Sequence, residues 1–283
     1  VKVVFYVNAN LRGQKIGQAV VAGCARHGQP VELRRVHGYG GPEADVAVFY
    51  GLWPPLKRIR EEYVAAGRKS VLVDLGYWGR IWNGDKMAGY HRFVVNGLHA
   101  THYFQRIAHP ADRFGVFGLE PRPFRRDGEF ILLCGMSGKA AWVYGLEPEA
   151  WERAAVDELR RHTGRPIVYR PKPSWKEARP IPGTTFAPDA EPLGARRLAG
   201  CWAVVTHHGN SALDALLAGV PAFTTDGIAA ALAGRDLAGV ESPPRPDAAR
   251  RDQLLFDAAY TQFRTGEIAD GTAWGHLREE GLI

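Results

Sequence analysis

Cysteine is scarce in this chain: Cys24, Cys134 and Cys201 are the three in 283 residues. They are odd in number, widely spaced and set among apolar neighbours. That excludes a disulfide framework and a cysteine-built metal site, and it fits reduced core residues of a cytoplasmic protein. No run of roughly 18 apolar residues occurs, so no membrane-spanning helix is expected. The opening Val1–Val7 has neither a basic n-region nor a cleavage site and reads as a strand, not a signal peptide. The ten histidines form no H-E-x-x-H or Cys/His spacing, so no metal site is expected. A P-loop, a G-x-G-x-x-G fingerprint and a G-x-S-x-G elbow are all missing. Their absence disfavours a P-loop kinase, a dinucleotide dehydrogenase and an α/β-hydrolase.

What is present points to an anionic partner. A formal net charge of +6 and a pI near 9.3 suit a nucleotide, a phosphosugar or nucleic acid. Arginines are spread along the chain, so no nucleic-acid arm stands out. At this length and 46% hydrophobic residues, two modest cores are expected.

The first half alternates strand and helix. Lys2–Val7, Val31–Val36, Asp45–Tyr50 and Lys69–Leu75 read as strands. The polar turn Asn8–Gly13 is expected to open a helix through about Arg26, and a second helix, led by Pro54-Pro55, is expected from Leu56 to Ala66. Near-continuous apolar strands with helices between them predict a parallel sheet covered on both faces. Beyond the fourth strand lies an aromatic stretch with Tyr77, Trp78, Arg80 and Trp82, followed by His91, His99, His102 and Tyr103. Ligands of open α/β sheets sit outside the carboxyl ends of strands, so these residues suit sugar or base stacking. A surface loop held down by its own aromatics is the alternative.

Pro110–Asp127 reads as an interdomain linker. The second half expects strands at Glu129–Gly135 and Pro166–Arg170, a helix from Glu147 to His162 and a short helix at Leu193–Leu198. Two helical patterns close the chain, 247–263 and 272–281. The densest polar turn is Thr206-His207-His208-Gly209-Asn210-Ser211, between an apolar strand and a helix that Asn210 or Ser211 can cap. His207 and His208, being adjacent, are expected on opposite sides of an extended backbone. Three loops therefore leave the carboxyl ends of strands: Gly135–Lys139, Arg170–Lys176 and Thr206–Ser211. Gly135, Ser137, Lys139, Arg170 and Lys172 join the helix N-terminus at Asn210 and Ser211, a set that fits a diphosphate.

A resemblance follows from these residues. Ser211-Ala-Leu-Asp214-Ala-Leu-Leu-Ala-Gly219-Val-Pro221 resembles the S-x-x-E-A-L-x-x-G-x-P signature of GT-B glycosyltransferases and of the related sugar-nucleotide 2-epimerases. Arg170-Pro171-Lys172-Pro173 resembles the R/K-P-H-P element of capsular Kdo transferases, and the similarity covers roughly 129–226. Tyr90–Gly97 is similar to a stretch of phage-type proteins. The resemblance implies an α/β fold of two Rossmann-like domains facing each other. The expected bounds are 1–120 for the acceptor domain and 128–263 for the nucleotide-sugar domain, with a 264–283 helix packing back on the first.

It further implies that Asp214 holds the nucleotide ribose, one methylene shorter than the family's glutamate. Asn210 and Ser211 would meet the phosphates, Lys172 would replace the family's histidine, and His207 or His208, with His208 favoured, would lie beside the diphosphate or sugar. An inverting transfer needs a base, for which Asp74 is the candidate, beside acceptor-binding Tyr77, Trp78, Arg80 and His91. No D-x-D occurs, which fits a metal-independent transferase whose only small-molecule requirement is the nucleotide-sugar co-substrate. The acceptor is expected to be a hydroxyl, either on a modified pyrimidine of DNA or on a saccharide or lipid-linked chain. A sugar-nucleotide epimerase and a non-catalytic nucleotide- or DNA-binding module are the other readings.

Overall fold

The structure, a computed structural model, describes residues 1–101, 106–189 and 191–283. His102 and Tyr103 lie outside the described residues. The chain forms two compact units: Val1–Arg106 with Asp257–Ile283, and Ile107–Phe256. Residues 107–127 thus belong to the second unit, where a short helix, α3 (Asp112–Gly115), buries Phe114. The last 27 residues belong to the first.

The first unit is built on β1 (Val3–Val7), β2 (Val31–Arg35), β3 (Val46–Tyr50), β4 (Lys69–Leu75), β5 (Tyr90–Val95) and β11 (Gln262–Arg264), in the order β11-β5-β4-β3-β1-β2. Strands β2, β1, β3 and β4 are parallel. They are joined by α1 (Leu11–Arg26) and α2 (Pro54–Ala65). From β1 the chain steps one way to β2, and from β3 it steps the other way to β4. Right-handed crossovers therefore put α1 and α2 on opposite faces. The fully apolar β3, buried at every position, is the central strand this arrangement requires.

The four strands expected to form a parallel sheet do so, and β5 and β11 extend it, both antiparallel to their neighbours. The Gly76–Gly89 excursion returns the chain alongside β4 without a crossover helix, which only an antiparallel strand can do. The expected helix over 247–263 is corrected: α7 (Ala248–Tyr260) stops, and buried Gln262 and Phe263 join the sheet. Then α8 (Thr265–Ala269) packs on α1 where Gly23 leaves room, since a Cβ there would lie 2.0 Å from the Ile268 carbonyl oxygen.

The second unit holds β6 (Phe130–Cys134), β7 (Ile167–Arg170), β8 (Thr185–Phe186), β9 (Cys201–Thr206) and β10 (Ala222–Thr224), all parallel, in the order β10-β9-β6-β7-β8. Helices α4 (Gly138–Val143) and α5 (Ala150–His162) join β6 to β7, and α6 (Asn210–Leu217) joins β9 to β10. Its core gathers Ile131, Leu133, Val156, Leu159, Tyr169, Val205 and Phe223. Residues 138–143 are helical where a loop was expected, because Ser137 caps them. Residues 193–198 make turns and not the expected short helix, in a stretch interrupted by Gly194 and Gly200. Among the described residues no helix is long and apolar enough to cross a membrane.

Candidate functional site

In the second unit the chain runs from β6 to β7 on one side and from β9 to β10 on the other. The carboxyl ends of β6 and β9 therefore flank the point where strand order reverses, the place where open α/β sheets hold ligands. Register makes the edge level: Cys134 stands opposite Arg170 on β7 and opposite Thr206 on β9. The three polar loops emerge side by side.

Cys134 shows how close they come. Its thiol, pushed up to about 11 by burial, lies near enough to Ser211, Arg170 and Asp214 to be influenced by all three. One side chain from each of β7 and α6, plus the acid one turn inside α6, thus surrounds the last residue of β6. The sequence offered Cys134 only as a core residue; its position at the last apolar residue of a strand was the available signal.

The start of α6 corrects the expected cap. The N-cap is Gly209, which makes no side-chain cap hydrogen bond, and Asn210 and Ser211 are the first two helical residues. A Cβ on Gly209 would lie 2.8 Å from Thr206 Oγ1 and 2.9 Å from Ser211 Oγ, so the glycine lets both hydroxyls crowd the helix start. The N–H groups of Asn210 and Ser211 point out of an N-terminus that carries the positive end of the helix dipole.

On β6's loop, Ser137 Oγ accepts from the Ala140 N–H at 3.2 Å, and Gly138 lies beside Trp175 of the β7 loop. Lys139 and Lys172 are exposed. Arg170 turns its guanidinium to the carbonyls of Asp189 (3.3 Å) and Glu191 (2.5 Å), bracing the loop after β8. Beneath the β6 loop lies Glu152 of α5, fully buried. Its Oε1 accepts from the Met136 N–H at 2.7 Å, and burial raises its carboxyl above the usual range. Gly135 is needed there, because a Cβ would come within 2.9 Å of the Tyr169 ring.

The two histidines do not diverge. Strand β9 ends at Thr206, so both lie past the extended backbone, and their Nδ1 atoms meet at 3.0 Å. One Nδ1 must donate and the other accept, so a single proton lies between them. Both rings pack on Tyr144, with centroids at 4.4 Å and 4.7 Å, and Trp151 closes on His207. Tyr144 donates to Asp226 Oδ2 at 2.8 Å. Burial lowers the His207 pKa, partly offset by Asp226. His207 is buried and His208 half-buried. Among the described residues His207, His208 and Asp226 do not form a three-ligand cluster. Tyr144, Asp226 and Glu152 escaped sequence reasoning, because each is assembled from a different element and carries no local motif.

The remaining expected residues belong to the first unit. Asp74 accepts from its neighbour's Leu75 N–H and pairs with Arg92 at 3.5 Å, opposite it in register. Tyr77 and Trp78 are buried, at 6% and 9% exposure, with both backbone N–H groups directed at Gln262 Oε1, so their rings pack inward instead of lying open. Arg80 donates to the Gly76 carbonyl at 2.7 Å. His91 is fully buried, and burial beside Arg12 pushes its pKa down to about 4.

No protein-family model matches the chain, and no curated protein matches it. Solved structures resemble it to differing degrees. A β-Kdo 2,4 transferase, KpsC of Thermosulfurimonas dismutans, superposes over 92% of this chain and 91% of its own with a TM-score of 0.50 at 13% identity. The β-Kdo 2,7 transferase of the same organism's KpsC covers 96% and 99%, with a TM-score of 0.48 at 13% identity. A UDP-GlcNAc 2-epimerase of Methanocaldococcus jannaschii, solved with UDP-GlcNAc and UDP, covers 79% and 83%, with a TM-score of 0.27 at 10% identity. The likeness to the first of these shows a GT-B-like α/β fold of Rossmann-like units.

Proposed function

We propose that this chain is a glycosyltransferase that takes a sugar from a nucleotide-sugar donor bound at the carboxyl edge of the second sheet. The observation that carries the reading is the level carboxyl edge: Cys134 at the end of β6 stands opposite Arg170 and opposite Thr206, beside a helix N-terminus without a side-chain cap. Phosphate oxygens would accept from the N–H groups of Asn210 and Ser211, with Lys139 and Lys172 as exposed cations at the rim. Asp214, one turn into the helix, would accept from the ribose hydroxyls. In the transfer, the bond between the sugar's anomeric carbon and the phosphate oxygen breaks and a bond to the acceptor oxygen forms. The acceptor's proton goes to a general base, and the negative charge leaves with the nucleotide. The paired histidines, with one proton shared between them and both rings packed on Tyr144, would offer the leaving phosphate a hydrogen bond from His208. The shared fold with a β-Kdo transferase supports this class of chemistry.

Calorimetric titration of UDP-, GDP-, CMP- and TDP-linked compounds tests the proposal. At least one is expected to bind, with Ser211→Ala weakening it about tenfold and Asp214→Asn about thirtyfold at unchanged melting temperature. Equal affinity of wild type and both variants would refute the site.

A further inference from the structure

We infer that the first unit holds a small anionic group, a carboxylate or a phosphate, between Arg12, His91 and Tyr50 at the carboxyl edge of its sheet. The inference concerns a different unit and does not rest on the nucleotide reading; within that reading, the second substrate would carry an acid group.

The position is the first sheet's own reversal point. Strand β1 lies between β2 and β3, and the chain leaves it toward one and returns beside it as the other. The 16-residue α1 starts there with no acid in its first turn. Its N-cap Asn10 already accepts from the Gly13 N–H, so the first N–H groups remain for another acceptor. Gly13 packs against the end of β3, where a Cβ would lie 3.5 Å from Tyr50 Cβ, and this seats Arg12 at the Tyr50 hydroxyl. The Tyr50 ring meets that of His91 edge-on at 5.8 Å.

The independent sign of a ligand is the set of buried atoms without partners. His91 is 0% exposed, yet neither ring nitrogen makes a hydrogen bond of ordinary geometry, and Arg12 Nε is buried in the same condition. Buried polar groups are normally paired. Neutral His91 carries one N–H and Arg12 Nε a second; the Gly89 carbonyl and the Tyr50 hydroxyl lie near these side chains without closing a hydrogen bond on either atom, so two buried donors are left for an oxygen. The electrostatics favour an anionic one, since Arg12 and Lys15 face the imidazole from α1 and Asp74 is the acid that offsets them. The 79–90 segment closes over this place, tied down by Arg12 Nη2 on the Lys86 carbonyl at 3.2 Å and by Thr265 Oγ1 on the Met87 carbonyl at 2.6 Å. A ligand carboxylate or phosphate would take the Arg12 and His91 N–H groups together, a charge-assisted arrangement stronger than either alone.

The test is a histidine-ring nitrogen spectrum of the full chain, titrated separately with inorganic phosphate and with gluconate, with chloride as the ionic-strength control. The His91 signals are assigned by their loss in His91→Gln. A saturable shift of these signals with phosphate assigns a phosphate group, and one with gluconate assigns a carboxylate; either supports the site. Arg12→Gln, at a half-exposed position, should weaken that binding at least tenfold while thermal unfolding stays cooperative. Should His91→Gln fail to fold, Arg12→Gln read by calorimetry carries the same decision. Ser211→Ala should titrate like wild type, which separates this site from the nucleotide site. No saturable shift with either anion, or equal affinity in Arg12→Gln, overturns the proposal.

Discussion

The two sheets begin alike and finish their carboxyl edges differently. In the second unit every strand is parallel, so each strand end releases a loop outward, and the loops after β6, β7 and β9 stand level and polar. In the first unit the aromatic excursion after β4 folds back as antiparallel β5, and the edge is covered by the chain's own side chains. The cost shows in the buried atoms: His91 and Arg12 Nε lack partners in the covered edge. A parallel edge leaves its site open to ligand, while an antiparallel return closes its site over.

The largest effects should come from the glycines that end the helices. Gly219, at φ +71°, follows α6, and a Cβ there would lie 2.1 Å from the Pro123 carbonyl oxygen. Gly219→Ala should cost on the order of 4 kcal/mol, combining left-handed strain with a backbone clash. Gly28, at φ +66°, follows α1 but faces open space, and Gly28→Ala should cost only about 1 kcal/mol. Denaturant melts of the two variants read the difference, and equal losses would break the contrast.

The buried acids and bases of the two units should respond to pH with opposite sign. His91 has its folded pKa lowered from 6.5 to about 4, so the unfolded chain binds more protons in that window. Stability from this group is full above 6.5 and is lost as pH falls toward 4, on the order of 3 kcal/mol in all. Glu152 is raised by burial, so the native state binds more protons just above the ordinary carboxylate value of 4.5. Its contribution falls as pH rises through that window. Melting curves from pH 4 to 7 should lose the first dependence in His91→Gln and the second in Glu152→Gln.

Glu152 also anchors the β6 loop. Glu152→Ala leaves the Met136 N–H buried without an acceptor and opens a void, and should cost about 3 kcal/mol, against about 1 for Glu152→Gln. A similar loss in both would mean that the loop does not lean on this side chain. The smallest expected effect is Tyr144→Phe, which removes one hydrogen bond to Asp226 for about 1 kcal/mol but keeps the ring between the histidines.

The strands were readable wherever a β-branched apolar run coincided with a buried position, as in Asp45–Tyr50 and Lys69–Leu75. Local pattern does not say which way a strand runs, so the antiparallel β5 and the late β11 were not legible. Nor did it show that Gly209, not Asn210 or Ser211, caps α6, since the choice depends on how Thr206 and Ser211 crowd that turn. For the second unit's edge, strand-then-polar-turn spacing was enough to nominate the loops of Arg170 and Ser211, which the register brings to one level, while Asp214 came from the resemblance alone. The pairing of His207 with His208 was read wrongly because the strand ends at Thr206, two residues earlier than an extended backbone through both would require.

The central claim is that a nucleotide's phosphates rest on the start of α6. It is tested most directly by amide spectra of the full chain with and without the nucleotide sugar that raises its melting temperature most. The account predicts that the N–H signals of Asn210 and Ser211 shift most and exchange more slowly with solvent on binding. A bound nucleotide sugar that leaves both amides unmoved would contradict it.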